Sequence, residues 1–340
     1  GTGGTDRAFI TTAHRGQEMI AEGFDPQTTT AGVGRADVWV FNALNTGAGM
    51  GGTPVDILTF FADTPRALAV TPDRTTVYIA SHFSGNQTTA IPETQVCNGF
   101  DNASGCSGGG VPGPRQNADG VNAPESGVIV KYNQATGEWL DAGNAAATNG
   151  NANPKDWSAF VPFDLPDHDV FSFDANTLLP IDTFDHVGTI NFNMVVNPMS
   201  GRIYVTNTES PNHIRFEGHG DHGGSTVQGH LSESRITVLN PSTGGVDPQH
   251  LNLHIDYSLL HTDGNATTSA TIDGYKQHSL ATPLQLVVNS AGNTVYMAAY
   301  GSAKIGVFDA SDIEDGNFEN NFDPTSESAN YIDTGGGPGG

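Results

Sequence analysis

The chain has 340 residues and is strongly acidic, with 13 Lys and Arg against 37 Asp and Glu and a formal net charge of −24. This charge excludes a nucleic-acid-binding protein, because phosphate recognition needs a basic face. Hydrophobic residues make up 36% of the chain, and 43 glycines bring the apolar total into the ordinary globular range, so we expect a folded protein. No apolar run approaches the ~18 residues of a membrane-spanning helix, so no transmembrane segment is predicted.

Cysteine usage and composition favour an exported protein. Cys97 and Cys106 lie close together in a stretch rich in Gly, Asn and Ser, which predicts a disulfide that closes a small loop, with two free thiols as the alternative. The chain opens with Gly-Thr-Gly-Gly, without Met or a hydrophobic signal segment, as expected of a processed chain or of a piece of a longer protein. We therefore expect a secreted protein, either periplasmic or at the extracellular surface.

Three segments of the chain align without gaps, at residues 68–82, 194–208 and 286–300. Each has a strand of β-branched and aliphatic residues, a turn rich in Pro, Asp, Ser or Gly, and a second strand centred on Tyr78, Tyr204 or Tyr296. The pattern predicts three antiparallel hairpins.

A second motif recurs as ADVWVFNA, HDVFSFDA, SRITVLNP and AKIGVFDA, at residues 36–43, 168–175, 234–241 and 303–310. Each copy predicts a third strand that ends in an Asn or Asp turn. Three copies are followed by a further extended apolar segment, which begins at Val55, Leu178 or His250. The repeat therefore contains four strands.

Self-similar four-stranded units predict an all-β fold, a β-propeller whose antiparallel blades bury their faces against one another. Long insertions follow the second strand, at about 84–167 and, in a histidine-rich segment, at about 210–233, and we expect them on one face of the disc. The first blade begins at its second strand, so about four visible blades would belong to a propeller of about six to eight blades, or strands would come from another segment. The predicted blades span about residues 7–62, 65–186, 190–256 and 281–333, and 334–340 would enter a further blade.

The second strand at residues 204–207 spells Tyr-Val-Thr-Asn, and the chain resembles the YVTN family of β-propeller repeat proteins. The resemblance extends over most of the chain, and it implies a large exported bacterial protein, of which some relatives continue into a c-type cytochrome portion. No Cys-x-x-Cys-His occurs, so any haem would lie outside this segment. The motif itself is a structural strand and specifies a fold, not a chemistry.

The second insertion carries the densest cluster of the 12 histidines. Imidazole and carboxylate groups are ligands that zinc and copper prefer, and neighbouring glycines would let a short loop fold around an ion. A solvated loop whose histidines bind metals only adventitiously is the alternative. The candidate transition-metal ligands are His213, Glu217, His219, Asp221, His222 and His230.

Acidic turns supply two groups of candidate calcium ligands. Hard oxygen ligands beside a closing glycine suit Ca²⁺, but the second group lacks the EF-hand order, and solvated acidic turns are the alternative. The first group is Asp164, Asp167 and Asp169, and the second is Asp309, Asp312, Glu314 and Asp315.

Four further histidines lie at or next to predicted strand ends. Such ends converge near the central channel of a propeller, so these side chains could approach one another, whereas capping and turn hydrogen bonds would explain each one separately. These channel-proximal candidates are His14, His82, His186 and His278.

Catalytic motifs are missing from the sequence: it has no Gly-x-Ser-x-Gly, no phosphate-binding loop and no cysteine that resembles an activated nucleophile. Glu233 and Arg235 beside His230, and Arg215 beside Glu217, could form an acid, base and anion set, or could be paired charges that hold a long loop onto the rim. No catalytic residue is assigned, and a non-enzymatic role is favoured.

The sequence therefore predicts an exported β-propeller module for binding or scaffolding, whose long loops on one rim hold a ligand or a protein partner. The remaining blades of the same propeller are a second kind of partner. The first alternative is a redox-associated propeller that partners a c-type cytochrome and uses a His-rich copper or zinc site. The second alternative is a hydrolase or lyase with its histidines and carboxylates gathered at the central channel.

Overall fold

In the computed structural model, the chain forms five antiparallel β-sheets. The structure describes residues 6–12, 36–60, 62–96, 121, 126–143, 154–162, 167–214, 227, 231–255, 278–316 and 331–335. Three sheets have four strands, each strand pairing with the next strand of its own repeat, and two further sheets have three strands each. The prediction of an all-β propeller with four-stranded antiparallel blades is confirmed.

Blade 1 has three described strands and blade 2 has four. Blade 1 contains β1 (Arg7–Thr12), β2 (Ala36–Asn42) and β3 (Asp56–Phe60). Blade 2 contains β4 (Pro65–Val70), β5 (Thr76–Ser81), β9 (His168–Asp174) and β10 (Pro180–Asp185). Between β5 and β9, the chain forms a separate three-stranded sheet, called here the insertion sheet: β6 (Thr88–Ile91), β7 (Val128–Asn133) and β8 (Glu138–Leu140).

Blades 3 and 4 repeat the order of blade 2. Blade 3 contains β11 (Ile190–Val196), β12 (Ile203–Glu209), β13 (Glu233–Asn240) and β14 (Gly245–His250). Blade 4 contains β15 (Pro283–Val288), β16 (Thr294–Ala299), β17 (Lys304–Asp309) and β18 (Tyr331–Asp333). The helical segments in the described ranges are α1 (Glu93–Val96), α2 (Ala310–Glu314) and 3₁₀ turns at Ser158–Phe160 and Tyr300–Ser302.

The core lies between adjacent blades. The first strands β4, β11 and β15 contact one another in turn. Alternate strand residues point to opposite faces, so each blade contributes one apolar set to the preceding interface and another to the following one. Side chains that are fully buried at these interfaces include Val38 and Ile79 between blades 1 and 2, Val205 between blades 2 and 3, and Met297 between blades 3 and 4. Each such burial stabilises the fold by about 1.5–3 kcal/mol.

The insertion sheet has a core of its own around Trp157, which is 0% exposed. The indole Nε1 of Trp157 donates to Asp141 Oδ2 at 2.9 Å, and the other carboxylate oxygen of Asp141 accepts the N–H groups of Gly143 and Lys155. A buried indole N–H needs such an acceptor. The described residues of the long insertion thus form a sheet with a buried core of its own.

The last strand of blade 3 differs from the expectation. We expected an extended segment beginning at His250, but β14 ends there and the next residues form a turn. The reason is the tight reversal after Asn240, whose carbonyl accepts the N–H of Thr243 and of Gly244, so that β14 pairs with β13 from Gly245 onward. Leu251, which follows β14, is buried from within this turn instead of from a strand.

No helix in the described ranges has the length and apolar character that crossing a bilayer requires.

Candidate functional site

The insertion sheet rests on the rim of blades 2 and 3, where the second strands end. Asn86, which is 6% exposed, donates through Nδ2 to the backbone oxygen of Ser210 at 2.6 Å and to Glu209 Oε1 at 3.3 Å. Its Oδ1 accepts from Nδ2 of Asn212 and from the hydroxyl of Thr88. The described residues that follow β5 and β12 therefore contact one another, whereas the placement of both insertions on one face of the disc stays a prediction.

Glu209, at the end of β12, is the centre of the charged contacts. Its Oε1 lies 2.6 Å from Lys131 Nζ, and its Oε2 accepts from Arg235 at 3.1 Å and from Thr189 Oγ1 at 3.1 Å. Burial favours a raised pKa for Glu209, but Lys131 and then Arg235 outweigh it, and the net pKa is lowered. The carboxylate thus joins β7 of the insertion sheet to blade 3.

Arg235, on β13, is fixed from several sides. Its Nε donates to Asn207 Oδ1 and its NH2 to the backbone oxygen of Val187, both at 3.2 Å. Burial lowers the pKa of Arg235, and Glu209 opposes that effect. Because Asn207 in turn donates to Thr237 Oγ1 at 2.7 Å, the guanidinium belongs to a hydrogen-bonded network and cannot move independently of the blade.

A histidine and an aspartate pair on the opposite wall. Nδ1 of His186 lies 2.6 Å from Asp167 Oδ2; the carboxylate side chain is 4% exposed and the imidazole side chain 38% exposed. His186 has a φ of 62°, a left-handed conformation that a residue other than glycine keeps only where its surroundings hold it. The pair thus holds a partly exposed imidazole through its Nδ1.

Asp169 lies behind this pair and is 1% exposed. Its Oδ2 accepts the N–H groups of Val187 and Gly188, whereas its Oδ1 has no partner among the residues that the structure describes. Burial, and then the neighbouring Asp167 and Asp185, raise the pKa of Asp169 well above its ordinary value.

A cleft of about 480 Å³ lies between the insertion sheet and the rim, and Lys131, Glu209, Arg235, Asp167 and His186 are among the residues that line it. His213 also borders the cleft; its Nδ1 is buried without a partner in the described ranges, and burial, then Lys131, lowers the pKa of its imidazole. The polar side chains that line the cleft include those of Asn133 and Gln134.

Most of the predicted transition-metal site lies outside the described residues. This applies to Glu217, His219, Asp221, His222 and His230, as well as to both cysteines, Cys97 and Cys106. His213 is placed at the cleft, as given above. The described ranges contain no group of three or more His, Cys, Asp or Glu side chains that could hold a metal ion.

The second group of calcium candidates is engaged in local structure. Asp309 caps α2, because its side chain accepts the N–H and the hydroxyl of Ser311. Glu314 accepts from the hydroxyls of Ser200 and Tyr204 in blade 3. Asp312 and Asp315 lie on and at the end of α2. In the first group, Asp164 is outside the described residues.

The three described channel candidates are held by different partners. Nδ1 of His82 lies 2.7 Å from the carbonyl oxygen of Asn191, and Nδ1 of His278 lies 2.6 Å from the Tyr331 hydroxyl. His186 pairs with Asp167, as described, and His14 lies outside the described residues. A shared site at the channel therefore stays a prediction.

Two features of the cleft were missed at the sequence level. No periodicity connects Lys131 with Glu209, 78 positions further along the chain, and only the placement of the insertion brings them together. The pairing of Asp167 with His186 did leave a signal. The sequences Asp-His-Asp at 167–169 and Asp-His at 185–186 stand at the open end of the β9–β10 hairpin, where antiparallel neighbours must face each other.

No protein-family model matches the chain, and no curated protein matches it. Among solved structures, it is similar to hydrazine synthase of Kuenenia stuttgartiensis, at 13% identity over 87% of this chain and 79% of that chain, with a TM-score of 0.33. It is also similar to the Dos1 propeller (12% identity, 82% and 52% covered, TM-score 0.26). A third is the periplasmic gluconolactonase PpgL of Pseudomonas aeruginosa (10% identity, 82% and 61% covered, TM-score 0.28). These similarities are too distant to inform function.

Proposed function

We propose that the protein is an exported β-propeller binding module, and that the cleft between the insertion sheet and the rim binds a small, neutral, polyhydroxylated ligand. The observation that carries the proposal is the cleft itself, whose volume of about 480 Å³ falls within the ~300–1,000 Å³ range of small-molecule sites. The export part is supported by the acidic composition and by the resemblance to YVTN repeat proteins.

The charges at the cleft favour a neutral ligand. Glu209 already pairs with both Lys131 and Arg235, and Asp167 pairs with His186. A ligand with a net charge would have to displace one of these pairs. A hydroxyl group can both donate and accept a hydrogen bond. Ligand hydroxyls can therefore bond the side-chain amides of Asn133 and Gln134, and also the paired ions, without breaking the ion pairs.

The proposal is tested by titrating neutral sugars and polyols into the protein, with the matched sugar acids and amino sugars as charged comparisons. Gln134→Ala removes an exposed amide at the cleft, and we expect binding about tenfold weaker. Gln249→Ala, on β14 and away from the cleft, is the matched control and should bind as the unchanged protein does. Binding of the charged compounds alone, or equal affinity for both variants, would contradict the proposal.

A second candidate function, hydrolysis of an ester bond in the bound ligand, is favoured by the Asp167–His186 pair. A buried carboxylate that fixes Nδ1 leaves Nε2 to accept a proton from water, whose oxygen attacks the ester carbonyl; the proton then passes to the departing alkoxide. We expect slow release of p-nitrophenol from sugar p-nitrophenyl esters, abolished by His186→Gln and reduced in kcat by Asp167→Asn. His278→Gln, in blade 4, is the control that should retain the rate. Equal rates for all three variants would exclude this function.

A further inference from the structure

The first strand of each four-stranded blade contains a register shift near its beginning. In the pairing of β4 with β5, the extra residue is Arg66, and in the pairing of β11 with β12 it is Phe192. β15 shifts its register in the same part of the strand, after Pro283. Arg66 and Phe192 each stand two residues before the aligned segments 68–82 and 194–208, so they occupy the same place in the repeat. A bulge re-aims a side chain, and bulges are common next to active sites.

His82, the residue that follows β5, bridges the bulges of β4 and β11. Its Nδ1 lies 2.7 Å from the carbonyl oxygen of Asn191, and its Nε2 lies 3.3 Å from NH1 of Arg66. A carbonyl oxygen only accepts hydrogen bonds, and a guanidinium only donates them. The tautomer that satisfies both contacts therefore has its proton on Nδ1, and its Nε2 accepts from Arg66. The imidazole thus fixes one end of the guanidinium.

Two phenyl rings lie against this imidazole. The ring centroids of His82 and Phe83 are 4.5 Å apart, and those of His82 and Phe192 are 5.7 Å apart. Both separations are within the range of favourable aromatic contacts. Phe83 is nevertheless 55% exposed, and an isolated bridge pairs its backbone with Ile190 of β11. Phe83 is thus held in place by its neighbours while more than half of it stays open to solvent.

Arg66 is exposed, and no acidic side chain in the described ranges pairs with it. Its contact with His82 uses NH1, whereas its Nε and NH2 have no hydrogen-bond partner among the described residues. Arg235 differs, because Glu209 neutralises it. The edge that Nε and NH2 form matches the two oxygens of a carboxylate. In a chain with 37 Asp and Glu against 13 Lys and Arg, a cation without an acidic partner is suited to an acidic ligand.

We propose that Arg66, Phe83 and Phe192 form a binding site for a small aromatic carboxylate, and that His82 positions Arg66 within it. The carboxylate accepts two N–H bonds from Nε and NH2 of Arg66, and the aromatic ring of the ligand packs on the two phenyl rings. The ligand therefore needs both a negative charge and a planar apolar body. The site is separate from the cleft, whose lining includes none of these four residues.

NMR titration of the protein with three matched compounds tests the ligand class. The compound 3-phenylpropionate carries both features, whereas 3-phenylpropanol lacks the charge and propionate lacks the ring. We expect 3-phenylpropionate to bind at least about tenfold more tightly than either comparison compound, because each of those loses one of the two contacts. No binding of 3-phenylpropionate, or equal affinity for it and for either comparison compound, would overturn the proposal.

Two pairs of variants locate the bound compound. Arg66→Gln removes the cation and should weaken binding of 3-phenylpropionate about tenfold or more, whereas Arg74→Gln, in the turn between β4 and β5, makes the same change of charge and should leave binding unchanged. Phe83→Ala should weaken binding about tenfold, and Leu179→Ala, at a residue of blade 2 that is 64% exposed, is its control. All four side chains are exposed, so all four variants should fold. Equal affinities within either pair would contradict the proposal.

The cleft variant Gln134→Ala distinguishes this site from the cleft. It removes an amide that lines the cleft, and it should leave the affinity for 3-phenylpropionate unchanged. Weaker binding in this variant would place the compound in the cleft and would overturn the proposal.

A double-mutant cycle tests the positioning role of His82. His82→Phe keeps an aromatic ring but removes the acceptor for NH1 of Arg66, and it should weaken binding of 3-phenylpropionate about fivefold. In the Arg66→Gln background, the same substitution should have no further effect, because the guanidinium that His82 positions is gone. An equal effect in both backgrounds would mean that His82 acts independently of Arg66 and would contradict the positioning role.

Discussion

The hydroxyl of Tyr204 in blade 3 donates a hydrogen bond to Glu314 of α2 in blade 4, at 2.5 Å. Asn197 Nδ2 donates to both groups, to the Tyr204 hydroxyl at 2.8 Å and to Glu314 Oε1 at 3.2 Å. Burial, and then the hydrogen bond to Glu314, raises the pKa of Tyr204. The acidic segment after β17, which composition alone suggests as a calcium ligand, thus joins two blades.

We expect Tyr204→Phe to lower the free energy of unfolding by about 1.5–3 kcal/mol, because it removes a hydrogen bond to a charged acceptor at a buried position. Tyr296→Phe is the matched control, since Tyr296 has the same place in the repeat but is 39% exposed, and its change should be within about 0.5 kcal/mol. Urea unfolding of the two variants at neutral pH measures the difference. Equal stabilities would mean that the Tyr204–Glu314 contact contributes nothing to the blade interface.

Glu209 should make the stability of the contact between the insertion sheet and blade 3 depend on pH. Its folded pKa is lowered from 4.5, so its contribution to stability is complete above the unfolded value and is lost as the pH falls through the lower, folded pKa. Glu209→Gln should cost about 3 kcal/mol at pH 7, because Lys131 and the buried Arg235 lose their shared counter-ion. The difference between variant and parent should shrink when unfolding is measured at progressively lower pH. A difference that stays constant would show that the charge of Glu209 is not the cause.

Asp169 should show the opposite dependence. Its folded pKa is raised, so the folded state is favoured while the carboxyl is protonated, and stability decreases as the pH rises from the unfolded value of 3.8 towards the folded pKa. In Asp169→Asn, the amide oxygen can still accept from Val187 and Gly188, and the pH-dependent loss disappears. The variant should therefore gain stability relative to the parent as the pH rises from 4 to 7, which unfolding curves in matched buffers would check. An unchanged pH profile would argue against a raised pKa.

The repeat framework could be predicted from sequence because its signals are local. The strand, turn and strand around Tyr78, Tyr204 and Tyr296 lie within fifteen-residue segments, and the third strands end in the same Asn or Asp turn. The cleft could not be predicted in the same way. The contact of Lys131 with Glu209 depends on where a long insertion returns to the rim, and such a contact leaves no periodic trace in the sequence. The calcium prediction for Glu314 rested on composition and stays a prediction, whereas its hydrogen bonds to Ser200 and Tyr204 leave no signal in composition.

Substitution of Asp141 tests whether the buried hydrogen bonds around Trp157 stabilise the insertion sheet. In Asp141→Ala, the buried Nε1 of Trp157 and two backbone N–H groups lose their acceptor, and we expect a loss of about 1–3 kcal/mol together with a red shift of tryptophan emission. Asp141→Asn keeps an acceptor for Trp157 and should lose less. Protease cleavage within residues 88–140 should increase in the alanine variant only. Parent-like emission and resistance in that variant would mean that Asp141 is dispensable.

Gly188 is the position at which the cleft should be most sensitive to one added carbon. A Cβ built there would lie 2.6 Å from Asn207 Oδ1 and 2.7 Å from its Cβ, and Asn207 cannot withdraw, because it bonds Thr237 and Arg235. Gly188→Ala should therefore destabilise the protein by about 1–3 kcal/mol and weaken ligand binding in the cleft, since Arg235 must shift with Asn207. Gly49→Ala is the control, because its added Cβ would meet nothing within 4 Å. Thermal unfolding and ligand titration of both variants decide the point. If Gly188→Ala had the same stability and ligand affinity as Gly49→Ala, Asn207 would be able to move away from the added Cβ despite its hydrogen bonds to Thr237 and Arg235, which would contradict the prediction.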